Sequence, residues 1–164
     1  MRVADPDWRR PLDPSFAAER GGRWNPPGSF PVVYLCATSA VARANVLRRF
    51  ADLPYGVLDL RPDRLPVLIE TDVAEHRAVD VVTDAGCRAA GLPVTYPFDR
   101  RGRRTAWERT QPVGNAAWER GEAAIACRSA ALPSDERGEE LAWFVHGRED
   151  RLTVARRRRF DTWF

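Results

Sequence analysis

Gly21-Gly22-Arg23-Trp24-Asn25-Pro26-Pro27-Gly28-Ser29-Phe30, followed by Pro31-Val32-Val33-Tyr34-Leu35-Cys36-Ala37, is the stretch that decides the fold. The paired glycines let the backbone turn sharply just before a charge, a ring and an amide. Pro26, Pro27 and Gly28 fix a second turn. The Val-rich run 31–37, carrying Tyr34, reads as a buried strand. Thr38 or Ser39 is placed to cap a helix, and Val41, Ala42, Ala44, Leu47 and Phe50 have the spacing of its apolar face. This unit of loop, strand, cap and helix collects polar groups at the loop and at the helix start.

Outward from it the pattern is of short elements. Upstream, residues 1–20 mix charge and proline, with Arg2-Val3 a short strand and Trp8 expected to pack on the core. Downstream, 53–66 reads as a connecting loop and 67–73 as an alternating strand. Val79–Val82 reads as a further strand, and Thr83 or Asp84 caps a short helix that stops near Gly91. Residues 92–105 read as an exposed loop. A helix is expected from Thr110 or Gln111 to Arg120, with Val113, Ala116, Ala117 and Trp118 inward and Gly121 as its stop. Strands follow at 123–127, at 141–145 after a polar connection over 133–140, and at 152–155. The expected class is α+β: a single domain with a small mixed or antiparallel sheet core and short helices. Residues 1–150 are read as the domain and 151–164 as an arginine-rich C-terminal tail.

The 164 residues, 44% of them hydrophobic and six of them tryptophan, suffice for one core and argue against disorder. All 26 basic residues are arginine, a side chain whose planar fork suits phosphates and carboxylates. The net charge of +3 is too small to demand a nucleic-acid partner. Cys36, Cys87 and Cys127 are far apart, and with only His76 and His146 they form no metal-ligand spacing, so no metal is expected. No apolar run has the length of a membrane span, and no signal peptide is recognisable, so a cytoplasmic protein with reduced thiols is expected.

Two blocks of residues carry a family resemblance. The first is Gly21-Gly22-Arg23-Trp24-Asn25-x-x-Gly28 with its Val-Tyr-Leu strand and Ala-rich helix. The second is Gln111-x-x-Gly114-x-x-x-Trp118, then Ala124–Cys127, Arg128-Ser129-Ala130 and Leu141-Ala142-Trp143-Phe144. Together they resemble the RES domain over about residues 2–146. The resemblance implies a fold similar to ADP-ribosyltransferases and a bacterial toxin-like enzyme that consumes NAD+ by phosphorolysis or hydrolysis of the nicotinamide–ribose bond. It also implies a helix-turn-helix (Xre-type) antitoxin over the site, through which alone nucleic acid would be met. Alternatives are a non-catalytic NAD- or nucleotide-binding module of the same fold and a protein ADP-ribosyltransferase.

Carried over residue by residue, the catalytic positions are Arg23, Tyr34, Asn45 and Ser129. The NAD+-binding positions are Arg2, Arg23, Trp24, Tyr34, Arg128 and Ser129, with inorganic phosphate a possible second substrate. The family's glutamate falls on Asn45, an amide that cannot supply negative charge to a developing cation. A weakened enzyme or a binder follows unless another acid reaches the site, and Glu139 and Glu140 are the candidates. On this reading a glutamate restored at position 45 raises activity by about tenfold or more. His76 and His146 are expected to be structural or exposed, and Arg156–Arg159 a solvated face.

Overall fold

A computed structural model describes residues 1–132 and 138–164. The elements in order are β1 (Arg2–Ala4), α1 (Ser15–Arg20), β2 (Val32–Cys36), α2 (Ser39–Phe50), β3 (Val67–Glu70), β4 (Ala78–Val81), α3 (Asp84–Ala89), α4 (Trp107–Glu119), β5 (Ala124–Arg128), β6 (Glu139–Phe144) and β7 (Arg156–Arg158), with three short 3₁₀ turns. The strands form two sheets, β1-β3-β7 and β2-β6-β5-β4. All pairings are antiparallel except β4 with β5. The α+β expectation therefore holds, with the strands divided between two sheets. Among the described residues no helix is long and apolar enough to cross a membrane.

The larger sheet is covered on both faces, so its strands are apolar on alternate residues in both directions. Val32, Ile125, Cys127, Ala142 and Phe144 pack with Trp24, Phe30 and Tyr96 on one face. Val33, Leu35, Trp143 and Val145 pack with Ala4 and Ile69 of the smaller sheet on the other. Thr38 caps α2 by accepting from the Val41 N–H, and Thr83 caps α3 by accepting from Gly86.

Several expectations change. Residues 15–20 form a helix that a six-residue segment is too short to announce by periodicity. Trp8 does not pack on the core but stands 41% exposed. The 92–105 segment is not wholly exposed, since Leu92 and Tyr96 are buried in the first core cluster. Helix α4 begins a turn early, at Trp107. Strand β6 begins at Glu139, so the polar connection is shorter than expected; its residues 133–137 lie outside the described part of the chain.

The C-terminus differs most. The strand expected at 152–155 is absent, and the arginine run itself is the strand: Arg156, Arg157 and Arg158 pair with Glu70, Ile69 and Leu68. Trp163 is buried with Val3, Val46 and Leu68. Residues 156–158 thus join the smaller sheet, and Trp163 joins its core. An exposed edge strand of arginines also resists pairing with other strands.

Candidate active site

The glycine-rich loop is held by its own amide. Asn25 is fully buried, and its Nδ2 donates to the carbonyls of Ala17 (2.6 Å) and Phe30 (3.3 Å). Its Oδ1 accepts from the Tyr34 hydroxyl at 2.7 Å, and that hydroxyl accepts the Trp24 N–H at 3.0 Å. Gly22 has to be glycine here, because a Cβ would lie 2.5 Å from the Tyr34 oxygen. Burial pushes the Tyr34 phenol well above its ordinary value, so it stays a neutral donor. Tyr34 thus tethers the loop that carries Arg23.

Helix α4 closes the loop from the other side, which explains the spacing of the second motif block. Thr110 Oγ1 donates to the Arg23 carbonyl at 2.5 Å, and Gln111 Nε2 donates to the Gly22 carbonyl at 3.0 Å. At Gly114 a Cβ would stand 1.6 Å from the Trp24 carbonyl oxygen, so only glycine lets the helix approach so closely. One turn on, Trp118 stacks between Phe30 (4.7 Å) and His146 (3.9 Å).

A cleft of about 510 Å³ opens beside this loop. Arg2, Arg23, Arg48, Arg49 and Arg104 line it, with Tyr34, Cys36, Asn45, Thr105 and, as the one acid among the described lining residues, Glu140. Strand register places Glu140 there: it pairs with Cys36 of β2 and Cys127 of β5, on the face shared by Tyr34. Two donors converge on its Oε1, Asn45 Nδ2 at 2.8 Å and Ser129 Oγ at 2.8 Å. Asn45 Oδ1 in turn accepts from Arg48 Nη2 at 3.1 Å, so the amide bridges a guanidinium and a carboxylate.

The positive charge is crowded. Burial first, and Arg49 second, hold the Arg2 guanidinium below its ordinary value. Burial, with Arg104, Arg23 and Arg49, does the same to Arg48. Burial opposes the charge on Arg23 too, but the Tyr96 hydroxyl, Cys127 and Glu140 more than offset it and leave it raised. Arg23 Nη1 lies 3.1 Å from the Tyr96 oxygen as donor. Arg2 Nη1, Arg48 Nε and Thr105 Oγ1 are buried without a hydrogen-bond partner, and all three belong to cleft-lining residues. Unpaired buried donors beside like charges call for an anion. A larger hollow, about 870 Å³ between residues 9–15 and 145–154, has no such buried unpartnered group among its described lining residues.

The expected site residues therefore separate. Arg23, Tyr34, Asn45 and Arg2 line the cleft, and Ser129, itself buried, reaches it through Glu140. Trp24 is 0% exposed and its ring belongs to the core, so it offers no face to a ligand. Arg128 faces away: its guanidinium donates to the carbonyls of Val82, Val94 and Tyr96 and pairs with Asp84 at 2.6 Å, clasping the 92–98 loop. His76 and His146 are exposed and outside the cleft. Tyr96 and the arginines of α2 carry no motif in the sequence. Only the helical period from Asn45 to Arg48 and Arg49 hinted that they share a face.

The profile of the RES domain family matches residues 1–162. Proteins named NAD(+) phosphorylase MbcT from Mycobacterium bovis and Mycobacterium tuberculosis are 33% identical over 112 residues, 67% of this chain and 56% of theirs. The chain therefore aligns with little more than half the length of these relatives. Among solved structures, the M. tuberculosis MbcT–MbcA toxin–antitoxin complex contains a similar fold, with a TM-score of 0.73 and 24% identity over 95% of this chain and 80% of that one. With the profile spanning all but its last two residues, the chain belongs to the RES domain family.

Proposed function

We propose that the protein cleaves the nicotinamide–ribose bond of NAD+, with Glu140 as the carboxylate of the site. The observation that carries this reading is the placement of Glu140 in an arginine-lined cleft, oriented by Asn45 and Ser129. The reaction breaks the bond from ribose C1′ to the pyridinium nitrogen. The electron pair leaves with the nitrogen, so nicotinamide departs neutral and needs no proton. Positive charge builds on C1′ and the ring oxygen, as in glycoside hydrolysis. A fixed carboxylate beside that charge stabilises the transition state more than the ground state.

The arginines take the other end of the molecule. Arg2, Arg23 and Arg48 present guanidinium groups to the diphosphate, whose charge would relieve the repulsion of Arg2 by Arg49 and of Arg48 by Arg104 and Arg23. Orthophosphate attack at C1′ gives ADP-ribose 1″-phosphate. Water attack gives ADP-ribose and a proton, which Glu140 can accept. The name of the mycobacterial relatives favours phosphate. The family's helix acid is here replaced by an amide–acid pair, Asn45 with Glu140, so the amide at 45 need not weaken the enzyme.

A toxin-like role with an antitoxin partner, a small helix-turn-helix protein over the cleft, belongs to the same reading. What supports a partner is that the fold neighbour was solved in a toxin–antitoxin complex. Nicotinamide release from NAD+ by the purified protein, beside Glu140→Gln, is the test. Gln keeps both hydrogen bonds at Oε1 and removes only charge, so kcat should fall about 10²–10³-fold with KM little changed. Equal rates in the two proteins would remove Glu140 from the chemistry.

A further inference from the structure

We infer that Trp8, Phe16 and Trp107 form a stacking rim for the adenine base of the dinucleotide, making the site selective for substrates that carry a base at the far end from the scissile bond. The inference rests on the NAD+ reading above and adds residues that no family motif marks. Among the described residues four aromatic side chains are largely exposed: Trp8 (41%), Phe16 (62%), Tyr55 and Trp107 (50%). Tyr55 packs edge-on to Phe50, and the other three all line the one cleft. They come from three separate segments: the loop after β1, the first turn of α1 and the first residue of α4. Solvent-exposed tryptophans are costly to leave bare, and their convergence on one opening points to a flat apolar ligand.

The contacts run in the order of the proposed substrate. The Arg2 guanidinium stands 5.8 Å from the Trp8 ring centre. Arg2 and Arg49 repel each other, and the neighbouring Arg48 donates to Asn45, which donates to Glu140. Ring, guanidinium groups and carboxylate therefore succeed one another as base, diphosphate and ribose do in NAD+. Stacking needs only a π-face, so the rim would accept any large base and reject a substrate lacking one.

The experiment compares NAD+ with nicotinamide mononucleotide, which has the scissile bond and no adenosine. In Trp8→Ala, Trp107→Ala and the double variant, KM for NAD+ should rise about tenfold or more in the double variant, with kcat held. Trp→Phe at the same positions should restore most of the affinity. The constants for the mononucleotide should be unchanged by every variant. Unchanged KM for NAD+, or an equal effect on both substrates, overturns the inference and leaves the rim for a protein partner. If neither substrate is cleaved, the NAD+ reading fails first, and ADP binding by calorimetry then decides the rim. ADP that binds the unmodified protein and binds the double variant about tenfold more weakly supports it; no binding, or equal binding, overturns it.

Discussion

Asn45→Glu is the substitution on which the sequence and the structure disagree. Read as a sequence, position 45 lacks the family's acid, and restoring it raises activity. In the structure the Asn45 amide donates to Glu140 Oε1 at 2.8 Å, so a glutamate at 45 replaces a donor with a second carboxylate. Two charges about 4 Å apart repel by about 4 kcal/mol at an effective dielectric near 20, and the open cleft trims this to roughly 2–4 kcal/mol. The pair escapes by sharing a proton, which leaves a dyad with one net charge and a displaced Glu140. Arg48, which now donates to Asn45, would pull the new carboxylate toward itself. The expected outcome is at least about a tenfold fall in nicotinamide release at neutral pH. Combining Asn45→Glu with Glu140→Gln returns one acid and one amide to the pair, and most of the activity should return with it. A double-mutant cycle read by kcat measures the coupling directly. Asn45→Glu alone raising activity tenfold would refute the reasoning, since it would mean that Glu140 leaves the acid's role unfilled.

Other consequences follow from single contacts. Gly114→Ala puts a methyl group where 1.6 Å separates it from the Trp24 carbonyl, so unfolding by denaturant should show a loss of about 3 kcal/mol or more, or no folded protein. Tyr96→Phe removes the oxygen that accepts from half-buried Arg23 and should cost about 1–3 kcal/mol of stability, with a raised KM for NAD+. Burial first, and the Glu140 charge second, push the Cys36 thiol from 9.0 up to about 11. A thiol raised on folding favours the protonated native state, so this contribution is whole below pH 9 and is lost as pH rises from about 9 to about 11. Thermal melts over that range should fall less steeply in Cys36→Ala, and alkylation of Cys36 at pH 8 should be slow.

The loop–strand–helix unit around Tyr34 was legible because every signal in it is local: a turn, an apolar run, and a cap one residue before the helix. The spacing Gln111-x-x-Gly114-x-x-x-Trp118 was visible too, though its cause was not. It becomes physical only once Gly114 is seen against the Trp24 carbonyl. Residues whose roles depend on distant partners were misplaced. Trp24 is an NAD+-binding position only by the family resemblance; its large apolar ring favours the core, and the turn drives it there. Arg128 beside Ser129 read as part of the site, but successive strand residues face opposite ways, and it clasps the 92–98 loop instead. Glu140 could be nominated from its neighbourhood to the Leu141 strand. Its selection over Glu139 required the register that sets it between Cys36 and Cys127.

In the proposed function this cleft breaks the nicotinamide–ribose bond. Purified protein incubated with NAD+, with and without inorganic phosphate, and followed by chromatography and mass spectrometry tests it most directly. Nicotinamide is expected in step with NAD+ loss, matched by ADP-ribose 1″-phosphate when phosphate is present or ADP-ribose when water is the acceptor, and abolished by Arg23→Ala. NAD+ that binds the cleft and is recovered intact under both conditions, in a folded protein, would contradict it.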